Sequence, residues 1–186
     1  MKIPQREEAM ELLREYTKSD NLIKHALAVE AAMVHYARMF GEDPELWGVA
    51  GLLHDFDYER FPTAEEHPFK GVEILRKRDY DETLVHAVLS HAPHTKVPPE
   101  TRMEKTLFAV DELCGLITAV ALVRPSKKIA DVKVKSVKKK MKDKAFARAV
   151  NRDDIRNGAE GLGIDLGTHI GHVLDALKGI SGDLGL

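Results

Sequence analysis

The chain has 186 residues, with 28 Lys plus Arg against 30 Asp plus Glu, 44% hydrophobic residues, 6% aromatics and one Cys. A net charge of -2 excludes a uniformly basic nucleic-acid binder and an acidic disordered chain, and the lone Cys114 excludes an intrachain disulfide or a thiolate-rich metal site. By surface scaling, a chain of 20.8 kDa folds from about 30,000 Å² to about 9,000 Å² of accessible area, so its core needs no covalent or metal staple. The N-terminal residues Met1 to Glu11 carry three Glu and no apolar run. The longest strongly apolar stretch, Leu116 to Val123, is eight residues. Neither a secretory leader nor a bilayer span is expected, and the reading is a cytoplasmic protein without a membrane partner.

Helix punctuation recurs along the chain while alternating strand patterns are hard to find, so the expected fold is all-α. Pro4 opens a first helix to about Thr17. Ser19 or Asp20 caps a second, with Leu22, Ala26, Val29, Met33 and Ala37 at helical spacing before Gly41. Asp43-Pro44 starts a third through Trp47, Ala50, Leu53 and His54, and a loop follows from Asp57 to Glu66. His67-Pro68 repeats the cap-then-proline pattern for a fourth helix through Ile74 and Leu75, and Asp81 caps a fifth ending near His91.

Pro93, Pro98 and Pro99 then enforce a loop. Thr101 begins a long, mostly apolar helix to about Val123, which should cross the middle of the bundle before Pro125 ends it. Shorter helices are expected around Val134–Met141, Asp153–Leu162 and Leu166–Leu177. No repeat or boundary divides the chain, so one domain over 1–186 is expected, with a basic helical part from about residue 124. Ser126 to Arg148 holds nine Lys and one Arg against Asp131 and Asp143. This is either a solvated helix face or a patch for anionic ligands.

The sharpest local feature is His54-Asp55, at the end of an apolar helix and before a polar loop. Transition metals take neutral imidazoles for affinity and carboxylates for charge balance, and successive helical residues point about 100° apart, so Asp55 can face a second ion while His54 holds a first. Asp111 lies among Phe108, Ala109, Val110 and Leu113, where an unpaired carboxylate would be costly and a bound cation would explain it. His25, His67 and His91 stand on or at the edge of three other helices. Read without a metal, the same residues are a hydrogen-bonded core histidine, a cap, a loop histidine and a carboxylate on a wet stripe with Lys105 and Glu112.

In this order, His25, His54-Asp55 and Asp111 resemble the HD-domain superfamily of metal-dependent phosphohydrolases, over roughly Asn21 to Ala121. His67 and His91 fall where the dinuclear branch carries additional histidines. His54-Asp55-Phe56-Asp57 stands where many relatives carry His-Asp-Ile-Gly, and the Gly-Tyr-Pro signature of the cyclic-dinucleotide branch is missing. The resemblance implies an HD-type helical bundle with His25, His54, Asp55 and Asp111 around one ion, and Asp55 reaching a second ion held by His67 and His91. It implies one or two divalent ions of Mn, Fe, Co, Ni or Zn, and hydrolysis of a small phosphorylated molecule or nucleotide by an activated water.

His54 and Asp55 are expected in catalysis. Lys70 could face a phosphate beside the metals or be a surface lysine. Asp57 could orient water or protonate a leaving group, or simply make turn hydrogen bonds. Asn21 could orient His25, and Arg124, Lys127 and Lys128 could supply positive potential, with solvent exposure the default for all four. His94 and Thr95 could border the pocket; His35 and His86 match no motif, and His169 with His172 reads as an exposed pair. Two other functions share this ligand set: a di-iron oxygenase cleaving a C–C or C–P bond, and a non-catalytic module binding an anion or nucleic acid through the Lys-rich segment. Nucleic acid is the less favoured partner, and the sequence gives no oligomeric state.

Overall fold

The computed structural model describes residues 2–186. It contains α1 (Arg6–Tyr16), α2 (Asp20–Phe40), α3 (Pro44–Leu53), α4 (Phe69–Lys77), α5 (Glu82–Ser90), α6 (Arg102–Leu122), α7 (Val134–Met141), α8 (Arg152–Gly161), α9 (Leu166–Gly179) and α10 (Ser181–Leu184). Single 3-10 turns occur at Pro93–Thr95 and Ile129–Asp131. Among the described residues there is no strand beyond an isolated bridge between Lys2 and Tyr80, so the fold is all-α. The accessible area of 9165 Å² agrees with the scaling expectation.

Local signals set most helix starts. Asp43 and Asp81 each accept from a backbone N–H two residues on, at 2.9 Å, and Thr101 with Glu104 closes a reciprocal capping box at the head of α6. Two starts differ from expectation. α1 begins at Arg6, with Pro4 in the lead-in. α4 begins at Phe69, after a cis His67–Pro68 bond, with Pro68 in the cap position. His67 caps nothing, because its ring is turned inward to a carboxylate.

α6 is the central helix, burying Leu107, Val110, Leu113 and Ile117 against residues of α2, α8 and α9. Two backbone approaches fix its neighbours, and both need glycine. A Cβ on Gly51 of α3 would lie 2.9 Å from the Glu30 amide nitrogen of α2, so these two helices meet backbone to backbone and the end of α3 is brought beside α2. A Cβ on Gly158 of α8 would lie 2.5 Å from the Ala109 Cα of α6, which presses the head of α8 toward Asp111. No helix is long and apolar enough to cross a membrane among the described residues.

Candidate metal centre

His54 follows α3 as its C-cap and is wholly buried. Its Nδ1 donates to the Gly51 carbonyl at 2.7 Å, which leaves Nε2 as the ring nitrogen that faces the site. That Nε2 has no hydrogen-bond partner; it lies 3.5 Å from Asp55 Oδ2 and 3.5 Å from Asp111 Oδ1. His25, from α2, completes this group with Nε2 3.0 Å from Asp111 Oδ1.

A second group repeats the arrangement. His91, at the C-cap of α5, donates from Nδ1 to the Val88 carbonyl at 2.5 Å and turns Nε2 to Asp55 Oδ1 at 3.2 Å. His67 donates from Nδ1 to Asp57 Oδ1 at 2.8 Å and brings Nε2 to the same Asp55 Oδ1 at 3.2 Å. Asp55 therefore offers one oxygen to each group. His25, His54 and Asp55 can surround one ion, and Asp55, His67 and His91 another.

The donors fit a transition cation. Two ligands about 2.1 Å from one ion stand about 3.0 Å apart at a right angle and about 3.4 Å apart at the tetrahedral angle. The donor separations just given, from 3.0 Å to 3.5 Å, match that range. Fixing Nδ1 of three imidazoles with a carbonyl or carboxylate is also how ligating histidines are held in one tautomer and orientation. An orphaned, wholly buried Nε2 aimed between two carboxylates is costly unless a cation or proton occupies the gap.

The metal-free electrostatics agree. Burial pushes the His54 imidazolium pKa down, but the facing Asp55 and Asp111 overcome it and hold the value well above the usual one. Burial likewise opposes ionisation of Asp55 and Asp111, yet the histidines keep both below the carboxylate range. His67 rises to about 9 because hydrogen bonds to Asp55 and Asp57 outweigh burial. The imidazoles thus hold protons against ionised carboxylates, where a cation would displace them. Glu112 is raised to about 7, by burial first and then by the charge of Asp111.

The structure brings all six expected ligands together, and a cavity of about 200 Å³ opens on Asp55, His67, His91 and Asp111. Larger cavities lie elsewhere; one of about 960 Å³, lined by residues of α2 and α9, holds none of the six. Asp57 is wholly buried, with one oxygen on His67 and the other accepting from Gly71 N at 2.7 Å, so neither oxygen is free to orient water. Lys70 departs from the phosphate-facing expectation: its side chain is exposed, pairs with Glu73 at 3.3 Å and does not line the cavity. Asn21, Lys127 and Lys128 are exposed, whereas Arg124 is half-buried with its Nε out of solvent; the two lysines border a separate cavity with Lys178.

His94 donates to the His67 carbonyl at 2.7 Å and lines the cavity. The expected exposed pair is corrected at His169, which is fully buried where α9 packs on α2 and α6. Tyr58, Phe108, Glu112 and Asp154 also line the cavity and were not singled out as site residues. Glu112 was legible only as the neighbour of Asp111. Asp154 had no local signal, because the packing of α8 on α6, with its close approach at Gly158, brings it there.

The chain belongs to the HD domain family, which matches residues 22–116, about half of its length. HD domains are generally metal-dependent phosphohydrolases. Among curated relatives, ribonuclease Y of Nitratidesulfovibrio vulgaris (strain DP4) is 31% identical over 101 residues, 52% of this chain and 18% of the relative. Ribonuclease Y of Alkaliphilus metalliredigens is 35% identical over 97 residues, 50% of this chain and 19% of the relative. The tRNA (cytidine(56)-2'-O)-methyltransferase of Thermoplasma volcanium is 28% identical over 114 residues, 56% of this chain and 33% of the relative. The chain thus spans less than a fifth of either ribonuclease Y. No solved structure gives a significant match.

Proposed function

We propose that this chain is a phosphohydrolase whose six ligands hold two divalent transition ions and whose substrate is a small phosphate ester. The observation that carries the reading is the division of Asp55, with Oδ2 toward His54 and Oδ1 shared by His67 and His91. A single ion would leave one of these groups without a purpose. When bound, the pair of ions would supply Lewis acidity and make a shared water acidic near neutral pH.

The chain's own part is orientation. The Gly51 and Val88 carbonyls and the Asp57 carboxylate keep three Nε2 atoms aimed inward, so the donor set needs little rearrangement on loading. The water oxygen attacks phosphorus as the ester P–O bond breaks, and a proton released by that water passes to the departing alkoxide. The cavity of about 200 Å³ has room for a phosphoryl group and a short substituent, which favours a small molecule. The name of the ribonuclease Y relatives makes a phosphodiester the natural second class to assay.

Metal analysis of protein purified without chelator, followed by a phosphate-release screen on the same sample, tests this. About two ions per chain and release from a monoester are expected, and His54→Ala should lose the ion beside His25 together with turnover. Full metal occupancy with no hydrolysis of mono- or diesters would overturn the reading, as would two bound irons with oxygen uptake in place of phosphate release.

A further inference from the structure

Beyond the ligands, the walls of the cavity are chemically one-sided. They include the rings of Tyr58 and Phe108 and the carboxylates of Glu112 and Asp154, with no Lys or Arg among the lining residues. Glu112 follows Asp111 on α6, Asp154 stands in the first turn of α8, and both are half-buried. Arg156 of the same helix is paired with Asp153 at 2.7 Å instead. These two side chains stand beside the place where a phosphate would sit, and no Lys or Arg of the cavity wall faces either of them.

A charge count on the dinuclear reading shows what is missing. Two divalent ions against the carboxylates of Asp55 and Asp111 leave an excess of two positive charges, which the dianion of a phosphomonoester balances. Glu112 and Asp154 then remain without a Lys or Arg partner in the cavity wall. A further phosphate would be repelled by both, with water partly excluded and screening weak. An ammonium group would complement both, and the faces of Tyr58 and Phe108 are surfaces on which a cation is stabilised.

We infer that the pocket selects phosphomonoesters whose organic group carries an ammonium a few bonds from phosphorus, and that it rejects nucleoside di- and triphosphates. The inference rests on the hydrolase reading for the place of the phosphate, but its test does not need turnover. In 3-aminopropylphosphonate and 3-hydroxypropylphosphonate a methylene replaces the ester oxygen of 2-aminoethyl and 2-hydroxyethyl phosphate, so neither can be hydrolysed at that bond. Titration calorimetry of the metal-loaded protein should show the amine binding at least about tenfold more tightly than the alcohol, with ATP weaker than either.

Asp154→Asn and Glu112→Gln should each shrink that ratio, and the double variant should bring it close to one while metal content, measured in parallel, stays at two per chain. Equal affinity of the amine and the alcohol for the unmodified protein would overturn the inference, and so would tighter binding of ATP. Failure of both phosphonates to bind would overturn it as well. A preference for the amine without phosphate release from any ester would leave the inference standing and remove only the hydrolytic reading.

Discussion

The molecule carries two histidine clusters, each with a fully buried ring, and they differ in what faces the rings. At the metal centre, His25, His54, His67 and His91 converge on Asp55 and Asp111. Between α2 and α9, His169 accepts from the Tyr36 hydroxyl on Nδ1 at 2.6 Å and donates from Nε2 to the Ala109 carbonyl at 2.9 Å, while His35 and His172 meet at 3.2 Å. Burial pushes both His54 and His169 down, yet carboxylates raise the pKa of His54, whereas at His169 burial, with a smaller push from His172, outweighs the Ala109 hydrogen bond and the pKa is lowered. Burial of histidine therefore marks no site. An imidazole with one nitrogen fixed and the other left bare before a carboxylate does.

The sharpest way to break that contrast is to remove the shared carboxylate. Asp55→Ala should lose both ions and reduce turnover at least about a thousandfold, because each group loses a ligand. His67→Ala should lose one ion and keep the other. Emission spectrometry after gel filtration reads the difference, and equal metal loss in the two variants would argue against two separately held ions. His169→Ala should do the reverse, costing about 3 kcal/mol of stability by removing a buried ring with two partners while metal content stays unchanged. Chemical denaturation of the loaded protein measures it.

Helix order, the capping at Asp43, Asp81 and Thr101, and the order of the ligand residues were legible in the sequence because each is a local signal or a short motif. His169 was misread as exposed because i, i+3 spacing on one helix says which residues share a face and not what covers that face. Which of its two readings Lys70 follows was not legible for a related reason: its direction depends on where α4 starts, and the inward turn of His67 delays that start. Asp154 carries no such signal, since a contact between Ala109 and Gly158, 49 residues apart in the chain, decides its place.

Asp57 sharpens the comparison from the other side. It touches no other expected ligand than His67 and acts by holding that ring, so Asp57→Ala should weaken binding of the ion beside His67 about 10- to 100-fold while the ion beside His25 keeps its affinity. Competition with a chromophoric chelator resolves the two sites. Equal weakening at both would mean that the substitution merely loosens the fold around Gly71, whose amide Asp57 also accepts.

The smallest effect follows from the opposite pKa directions. His169 is held neutral in the folded state, whereas the unfolded chain takes up its proton below about pH 6.5, so protonation favours the unfolded state there. This histidine's contribution is fully present above that pH and falls as pH drops toward the folded value. The stability gap between the unsubstituted protein and His169→Gln should therefore shrink by roughly 1 kcal/mol between pH 6.5 and 5.5 and stay flat from pH 7 to 8. Taking the difference cancels the metal-site histidines, which titrate in both proteins. A gap that widens on acidification would mean that His169 is charged in the folded state. An unseen anion would then have to face it, and the distinction drawn between the two clusters would fail.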